Sequence, residues 1–243
     1  SPALRADAGS RTATALPAAG PVRPAGFPSP TPADRQHRVR QSWPRRGRPL
    51  RDQARYLERN HDIARGILRK LVNNTVGPNG ITVEPQPRRL IDGSIHEDLA
   101  KILADLWRDW SKRPEVTFQY NNAKMQRVAA AAWFRDGEVF AQMLSGPVPT
   151  LRHGTRVPFS LELLEADMVP LDVEDGSKVQ QGIQYNAWGQ PVAYQVYKVH
   201  PGDTLWQVKS ALKTVAAERM IHAKRADRIG QRRGVSEFAS VIT

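Results

Sequence analysis

Two groups of carboxylates have residue types suited to acid–base or metal chemistry. Asp136 and Glu138 flank a glycine, and Asp172, Glu174 and Asp175 form a second group. Asp-Gly is a turn dipeptide and neighbouring strand residues point to opposite faces, so the first pair indicates a turn into a strand rather than a catalytic pair. The second group lacks the alternating oxygen ligands and the distal glutamate of a calcium loop, so we predict an exposed loop there.

Histidines, cysteines and nucleotide-binding motifs indicate no other reactive site. The six histidines do not pair at metal-ligand spacing, and the absence of cysteine excludes zinc–thiolate and thiol-nucleophile chemistry. The sequence has neither a Gly-x-x-x-x-Gly-Lys-Ser/Thr phosphate loop nor a Gly-x-Ser-x-Gly nucleophile elbow. We therefore expect no catalytic residue, no metal site and no cofactor.

Arginines give the chain its clearest binding potential. The formal net charge is +12, and much of the excess precedes residue 50, around Trp43. Such a cluster can bind phosphates while the indole stacks on a base, although a solvated linker is the alternative interpretation. We hypothesise that the clustered arginines contact a polyanion or a neighbouring subunit: Arg45, Arg46, Arg48, Arg232 and Arg233.

Composition divides the chain into three parts. Residues 1–49 are rich in Pro, Ala and Arg, which predicts a disordered basic arm. Residues 50–235 are long enough to bury a core and form the predicted body. Residues 236–243 predict the start of a helix that is too short to be stable alone, so we expect a longer polypeptide. No apolar run approaches the roughly 20 residues that span a membrane, and we expect no membrane partner.

Periodicity predicts helices in the first half of the body. Apolar residues recur at helical spacing between residues 54 and 72, with a break at Asn60, which we expect to cap the second helix. A strand is predicted at 81–83. Ser94 and Glu97 form a capping box before the next helix, and Asn121 or Asn122 caps the one after it. Tryptophans on the apolar faces of these helices are candidates for the core or a subunit interface: Trp107, Trp110 and Trp133.

The second half alternates short apolar runs with turn residues, which predicts strands. A hairpin with its turn near Gly189 is the clearest. The predicted strands cover 138–144, 159–164, 182–185, 191–197 and 206–208. The fold class we predict is α+β, with N-terminal helices packed on a mostly antiparallel sheet, a disordered basic N-terminal arm and a truncated C-terminal helix.

Three motifs resemble one known family. They are W-F-R-D-G-E-V-F at 133–140, the hairpin with G-x-P-V-A-Y-x-V at 189–196, and R-x-x-Q-x-R-G-V at 228–235. Together they resemble the lambda-type family of tailed-phage portal proteins. The turn residues Ala187 and Trp188 depart slightly from the more polar turn of that family. Residues 217–222 resemble its I-x-H strand, so the resemblance implies a last strand there.

The resemblance implies a structural protein of the virion that is not an enzyme. Portal subunits form a closed ring, usually of twelve copies, at one vertex of the phage head, and double-stranded DNA passes through its centre. The implied partners are further copies of the chain, DNA, the terminase large subunit, a major capsid or scaffold protein, and head–tail connector proteins. The body would correspond to the outer wing, and the hairpin at 182–197 to either the wing or the motor-facing clip.

Two other functions are consistent with the residues. A sequence-independent DNA-binding protein would explain the positive charge and would act as a monomer or dimer. A metal-dependent nuclease would use the carboxylates to hold a cation. The mass of the native assembly separates a many-membered ring from both.

Overall fold

A computed structural model describes residues 47–176, 178–202 and 211–242. Several sequence predictions lie outside these residues: the strand at 206–208, and residues 1–46 of the disordered arm predicted over 1–49, with Trp43, Arg45 and Arg46. Within the described ranges, no helix combines the length and the apolar character that a membrane crossing requires.

Four helices occupy the first half of the body. They are α1 over 47–60, α2 at Asp62–Thr75, α3 at Glu97–Trp110 and α4 at Asn122–Asp136. The first described residues are already helical, so α1 begins before residue 50, where we expected the body to start. The positions of α2, α3 and α4 agree with the periodicity, whereas two of the predicted caps do not.

The structure corrects the predicted cap between α1 and α2. The side-chain amide of Asn60 donates a hydrogen bond to the Tyr56 carbonyl at 2.9 Å, so it belongs to the last turn of α1. His61, in an extended conformation, is the residue before α2, and its side chain makes no capping hydrogen bond. Asp62 lies in the first turn of α2, where a carboxylate stabilises the helix dipole.

The capping box predicted for α3 is also wrong. The Ser94 hydroxyl donates to the Asp92 carboxylate at 2.8 Å, and Ser94 lies two residues before the N-cap position of α3, which begins at Glu97. His96 caps the helix instead, because its Nδ1 accepts a hydrogen bond from the Leu99 amide at 3.3 Å. Asn121 caps α4 as one of the two predicted alternatives.

Residues 81–83 do not form the predicted strand. The Ile81 amide donates to the Gln126 side-chain oxygen at 2.6 Å, and the Ile81 carbonyl accepts from the Gln126 amide nitrogen at 3.1 Å. The Gln126 side chain of α4 thus takes the hydrogen bonds that the Ile81 backbone would make with a neighbouring strand. The segment has no regular secondary structure.

In the described residues of the second half, two antiparallel sheets are present, which confirms the α+β class. The strands are β1 (Glu138–Ser145), β2 (Phe159–Leu164), β3 (Val179–Gln180), β4 (Ile183–Tyr185), β5 (Pro191–Tyr197), β6 (Leu212–Ala216) and β7 (Met220–Lys224). One sheet has the order β2-β1-β7 and the other β3-β4-β5-β6. The predicted β4–β5 hairpin is confirmed, β6 was not predicted, and residues 217–219, expected in the last strand, form a 3₁₀ turn instead.

Apolar side chains pack in three clusters that the helices and sheets share. Phe140 and Val196 centre the first, which joins the two sheets. Phe134 and Ala54 belong to the second, where α1, α2, α4 and the C-terminal 3₁₀ turn at Glu237–Ser240 meet, and Trp133 packs against it. The third contains Trp110, Met125 and Leu161, with Trp107 packed against it. The three tryptophans thus take part in packing within the body.

Candidate functional site

The turn between α4 and β1 places two carboxylates inside the body. Asp136 ends α4, Glu138 begins β1, and Gly137 between them has φ +86°. A Cβ at Gly137 would lie 2.2 Å from the carbonyl carbon of Val235, so both the backbone angle and the close approach require glycine. The expected Asp-Gly turn is present, and it brings both carboxylates into the protein interior.

The R-R-G-V segment packs directly against this turn. A Cβ at Gly234 would lie 1.9 Å from the Gly137 carbonyl oxygen, so the two glycines allow backbone to meet backbone. The Gly234 amide donates to the Glu138 carboxylate at 2.9 Å, and the Arg225 amide donates to the Gly137 carbonyl at 2.8 Å. Two of the three sequence motifs thus form one unit in space.

Glu138 is fully buried and is the centre of a network of charges. Nε of Arg233 donates to its carboxylate at 2.8 Å, and Nε2 of His222 lies 3.0 Å from the other carboxylate oxygen. Arg51 of α1 forms a second ion pair with the same carboxylate, beside that of Arg233. One carboxylate therefore connects α1, β1, β7 and the segment that follows β7.

Arg233 is buried, so its charge cannot reach DNA or another subunit from this position. Its guanidinium donates to the backbone carbonyls of Gln181 at 2.7 Å, Val169 at 3.0 Å and Ala166 at 3.1 Å, in addition to Glu138. These bonds join both sheets and the loop after β2. We therefore assign Arg233 a structural role in place of the contact predicted for it.

A second buried carboxylate extends the network along α1. Asp136 accepts hydrogen bonds from Arg55 at 3.0 Å and from Arg135 at 2.8 Å. Arg55 also pairs with Asp167, which Arg51 reaches at 3.3 Å. The arginines at 51 and 55, one helical turn apart, thus fasten α1 to the α4–β1 turn and to the loop after β2.

Electrostatics keep these carboxylates ionised despite their burial. Burial alone would raise the pKa of Glu138, but the charges of Arg233 and Arg51 and the hydrogen bond with His222 hold that pKa well below its ordinary value. Burial would likewise raise the pKa of Asp167, yet Arg55 and Arg51 outweigh it and lower the pKa. Both groups therefore carry negative charge at neutral pH.

His222 is held neutral in the same network. Burial lowers its pKa below the ordinary 6.5, although the Glu138 carboxylate opposes the shift. The neutral ring donates from Nε2 to Glu138 and stacks on Phe140, with 4.3 Å between ring centroids. The imidazole stands perpendicular to the Tyr194 ring, with 5.7 Å between ring centroids. The ring thus links the charge network to the apolar core between the sheets.

One group of side chains in the described ranges has the spacing of metal ligands. Single ligand atoms of Glu165, Asp167 and His200 lie within 4.8 Å of one another. Both oxygens of Asp167 are already bound by Arg51 and Arg55, whose positive charges would repel a cation. The arrangement therefore suits an ion-pair network better than a metal centre.

The remaining candidate residues lie near the surface. Arg48, in the first described turn of α1, is exposed and binds Asp172 at 3.1 Å. This contact lies in the loop we predicted at 172–175, where all three carboxylates are at least partly exposed. Arg232 is partly buried, with its guanidinium 4.3 Å from the centre of the Tyr185 ring, and burial raises the pKa of that tyrosine to about 12.

Residues 31–243 match the sequence model described as "Phage portal protein, lambda family". This chain belongs to that family. It is also 29% identical over 160 residues to a "Probable portal protein" of Halomonas phage phiHAP-1, an alignment that covers 63% of this chain and 30% of the relative. The chain thus aligns with less than a third of the length of that curated relative.

Sequence reasoning missed most of the network in this portal chain. It singled out Glu138 and Asp136 but assigned them to a turn, and it did not single out Arg51, Arg55 or His222. A signal for the first two was present, because arginines four residues apart on an otherwise amphipathic helix place two positive charges on one face. Their carboxylate partners lie more than 80 residues away in the chain, where no local pattern connects them.

Replacing Glu138 with glutamine should destabilise the portal body strongly. Arg51 and Arg233 would then remain buried without their counter-charge, and removing one partner of a buried pair costs about 3–5 kcal/mol. Urea unfolding followed by tryptophan fluorescence measures the loss. Glu218→Gln, at an exposed position, is the control and should change the free energy of unfolding by less than about 0.5 kcal/mol. Equal effects of the two substitutions would contradict the network.

Stability should fall as the pH drops below 6.5. The unfolded chain takes up a proton at His222 near that pH, whereas the folded chain binds it only at the lower pKa of the buried ring, so protons favour unfolding in this window. We expect His222→Gln to flatten this part of the stability profile, and His61→Gln, at an exposed position, to leave it unchanged. A profile with the same slope in all three proteins would exclude His222 as the source.

Proposed function

We propose that this chain is a structural, non-enzymatic subunit of the portal ring, the head–tail connector through which phage DNA is packaged and ejected. The observation that carries the proposal is the family match over residues 31–243. That range contains the two motifs that meet at Gly137 and Gly234, so the structural centre of the body lies within the matched region.

The state of the buried carboxylates supports a structural role. Glu138, Asp136 and Asp167 are each bound by at least two arginines, so none is placed to take a proton from a substrate or to accept a metal ion. This arrangement disfavours the nuclease alternative. A packaging motor that hydrolyses ATP would be a separate protein, and we propose the terminase large subunit in that role.

Contacts with DNA in the channel would be to phosphates and independent of sequence. Of the five arginines predicted for such contacts, Arg48 is exposed and Arg232 is partly buried in the described part of the chain, while Arg45 and Arg46 precede it. We propose these four for contact with DNA or a neighbouring subunit and omit Arg233 because it is buried.

Capsid or scaffold protein and connector proteins would bind the same ring at the virion vertex.

A sequence-independent DNA-binding protein is the second candidate function. The net charge of +12 favours it, because a basic surface attracts duplex DNA without base-specific contacts. It differs from the portal proposal in one measurable respect: such a protein binds DNA as a monomer or small oligomer, whereas a portal subunit acts in a closed ring.

Native mass spectrometry and negative-stain electron microscopy of the full-length polypeptide that contains this chain separate the two functions. We expect closed rings of many copies, with duplex DNA binding that weakens as salt is raised. The plot of log K against log salt has a negative slope. Arg48→Ala and Arg232→Ala should each make that slope less negative by about 0.9 if the residue contacts one phosphate. Arg219→Ala, at an exposed position outside the cluster, is the control. A stable monomer or dimer that binds DNA would reject the portal proposal in favour of its rival.

A further inference from the structure

Five cationic side chains lie together where the β1–β2 loop, residues 146–158, packs against the end of α3. Three belong to the end of α3 and the residues directly after it, and two belong to the loop: Arg108, Lys112, Arg113, Arg152 and Arg156. All five are exposed. We call this set the α3–loop surface. It is not a cluster in the sequence, because α4 and β1 separate the two segments.

A glycine allows the loop to meet the end of α3. A Cβ at Gly154 would lie 2.7 Å from the Cβ of Arg113 and 2.9 Å from Cε1 of Phe118, so a larger residue would push the two segments apart. Arg152 and Arg156 lie two residues to either side of Gly154. The close approach at the glycine therefore brings the arginines of the loop beside the cations of α3.

Hydrogen bonds fix the loop that carries two of these arginines. The Gly146 amide donates to the Pro158 carbonyl at 2.9 Å and closes the base of the loop. The two ring nitrogens of His153 lie 2.8 Å from the Ser160 hydroxyl and 2.8 Å from the Gly146 carbonyl oxygen. The backbone that presents both arginines is thus ordered in advance, which lowers the entropy that a ligand must overcome.

Backbone strain is concentrated beside the same surface. Among the described residues, three that are not glycine have a positive φ: Phe118 at 61°, Thr150 at 63° and Gln181 at 54°. Gln181 belongs to the buried network, since its carbonyl binds Arg233. The other two lie at the α3–loop surface, Thr150 within the loop and Phe118 against Gly154. A residue with a side chain is strained at such angles, and strain of this kind collects where proteins hold ligands.

Two carboxylates offset only part of the positive charge. Asp109 lies 3.2 Å from the ammonium of Lys112 and 3.5 Å from the guanidinium of Arg156. Asp105 binds Arg108 at 3.0 Å. Five cations and two carboxylates leave the α3–loop surface with a net charge of +3.

The remaining two arginines have no counter-charge. In the part of the chain that the structure describes, neither the Arg113 nor the Arg152 guanidinium has a hydrogen-bond or ion-pair partner. Exposed like charges repel one another, and a polyanion relieves that repulsion. A guanidinium binds a phosphate through two parallel hydrogen bonds. Protein–protein interfaces are instead depleted of charge at their centre, so the charged centre of this surface favours nucleic-acid phosphates over an acidic protein.

We propose that the α3–loop surface binds the phosphate backbone of duplex DNA. These five cations are additional to the four arginines named for the proposed function, and they lie on different segments of the chain. The contact would be independent of base sequence, because phosphates carry no sequence information. It does not require a closed ring, so it can be tested apart from the portal proposal.

A salt series of duplex binding tests the surface. Fluorescence anisotropy with a short labelled duplex of mixed sequence measures K for the full-length polypeptide that contains this chain. In Arg113→Ala combined with Arg152→Ala, we expect the slope of log K against log salt to become less negative by about 1.8, if each arginine contacts one phosphate. Both positions are exposed, so the Tm of this variant should match that of the unchanged protein.

Two further variants separate a local contact from net charge. Arg69→Ala combined with Lys101→Ala removes the same charge from exposed positions outside the surface and should leave the slope nearly unchanged. Arg113→Lys combined with Arg152→Lys keeps the charge and should keep the original slope. Equal changes in the two alanine pairs would overturn the proposal, because the slope would then report net charge alone.

The outcomes also identify the partner and stand apart from the proposed function. Polyglutamate that displaces the duplex as readily as unlabelled DNA of equal charge would overturn the assignment to phosphates and favour an acidic protein. Closed rings in which the Arg113 and Arg152 alanine pair keeps its original slope would overturn this surface and leave the portal ring standing. A monomer that shows the expected change of slope would reject the ring and keep the surface.

Discussion

Burial of the Glu138 carboxylate is the constraint on which the rest of the body depends. A charged group inside the protein is stable only when paired charges and hydrogen bonds replace the water it has lost. Arg51, Arg233 and His222 provide that replacement from three different parts of the chain. None of them can move without exposing an uncompensated charge, so the network fixes α1, the two sheets and the segment after β7 in one arrangement.

The same close backbone packing requires both glycines next to the network, Gly137 and Gly234. Glu138 receives a hydrogen bond from the Gly234 amide only because that backbone lies against Gly137, and a Cβ at either position would separate the two. The lambda-family motifs that contain these residues are thus parts of one packed turn. Their distinctive sequences follow from close backbone contact and buried charge. In this chain the acidic and basic residues of the two motifs bind one another in the interior.

The parts of the fold that sequence predicted well depend on neighbouring residues. Asn121 before α4, Asp136-Gly137 before β1 and the turn at Gly189 each determine their structure through bonds within a few residues. The failures depend on distant partners. Ile81 is bonded to Gln126 rather than to a strand, and Arg233, which resembled a surface contact in a basic run, pairs with a carboxylate 95 residues away. Charge clustering in a sequence therefore did not distinguish a binding surface from a buried network.

A double-mutant cycle between Arg51 and Glu138 tests this account most directly. The free energies of unfolding of Arg51→Met, Glu138→Gln and the double variant are compared with that of the unchanged chain. The account predicts strong coupling: because each single variant leaves a charge or a polar group unpaired in the interior, the double variant should be much less destabilised than the sum of the two. Effects that add to within about 0.5 kcal/mol would contradict the claim that this pair holds α1 on the sheets.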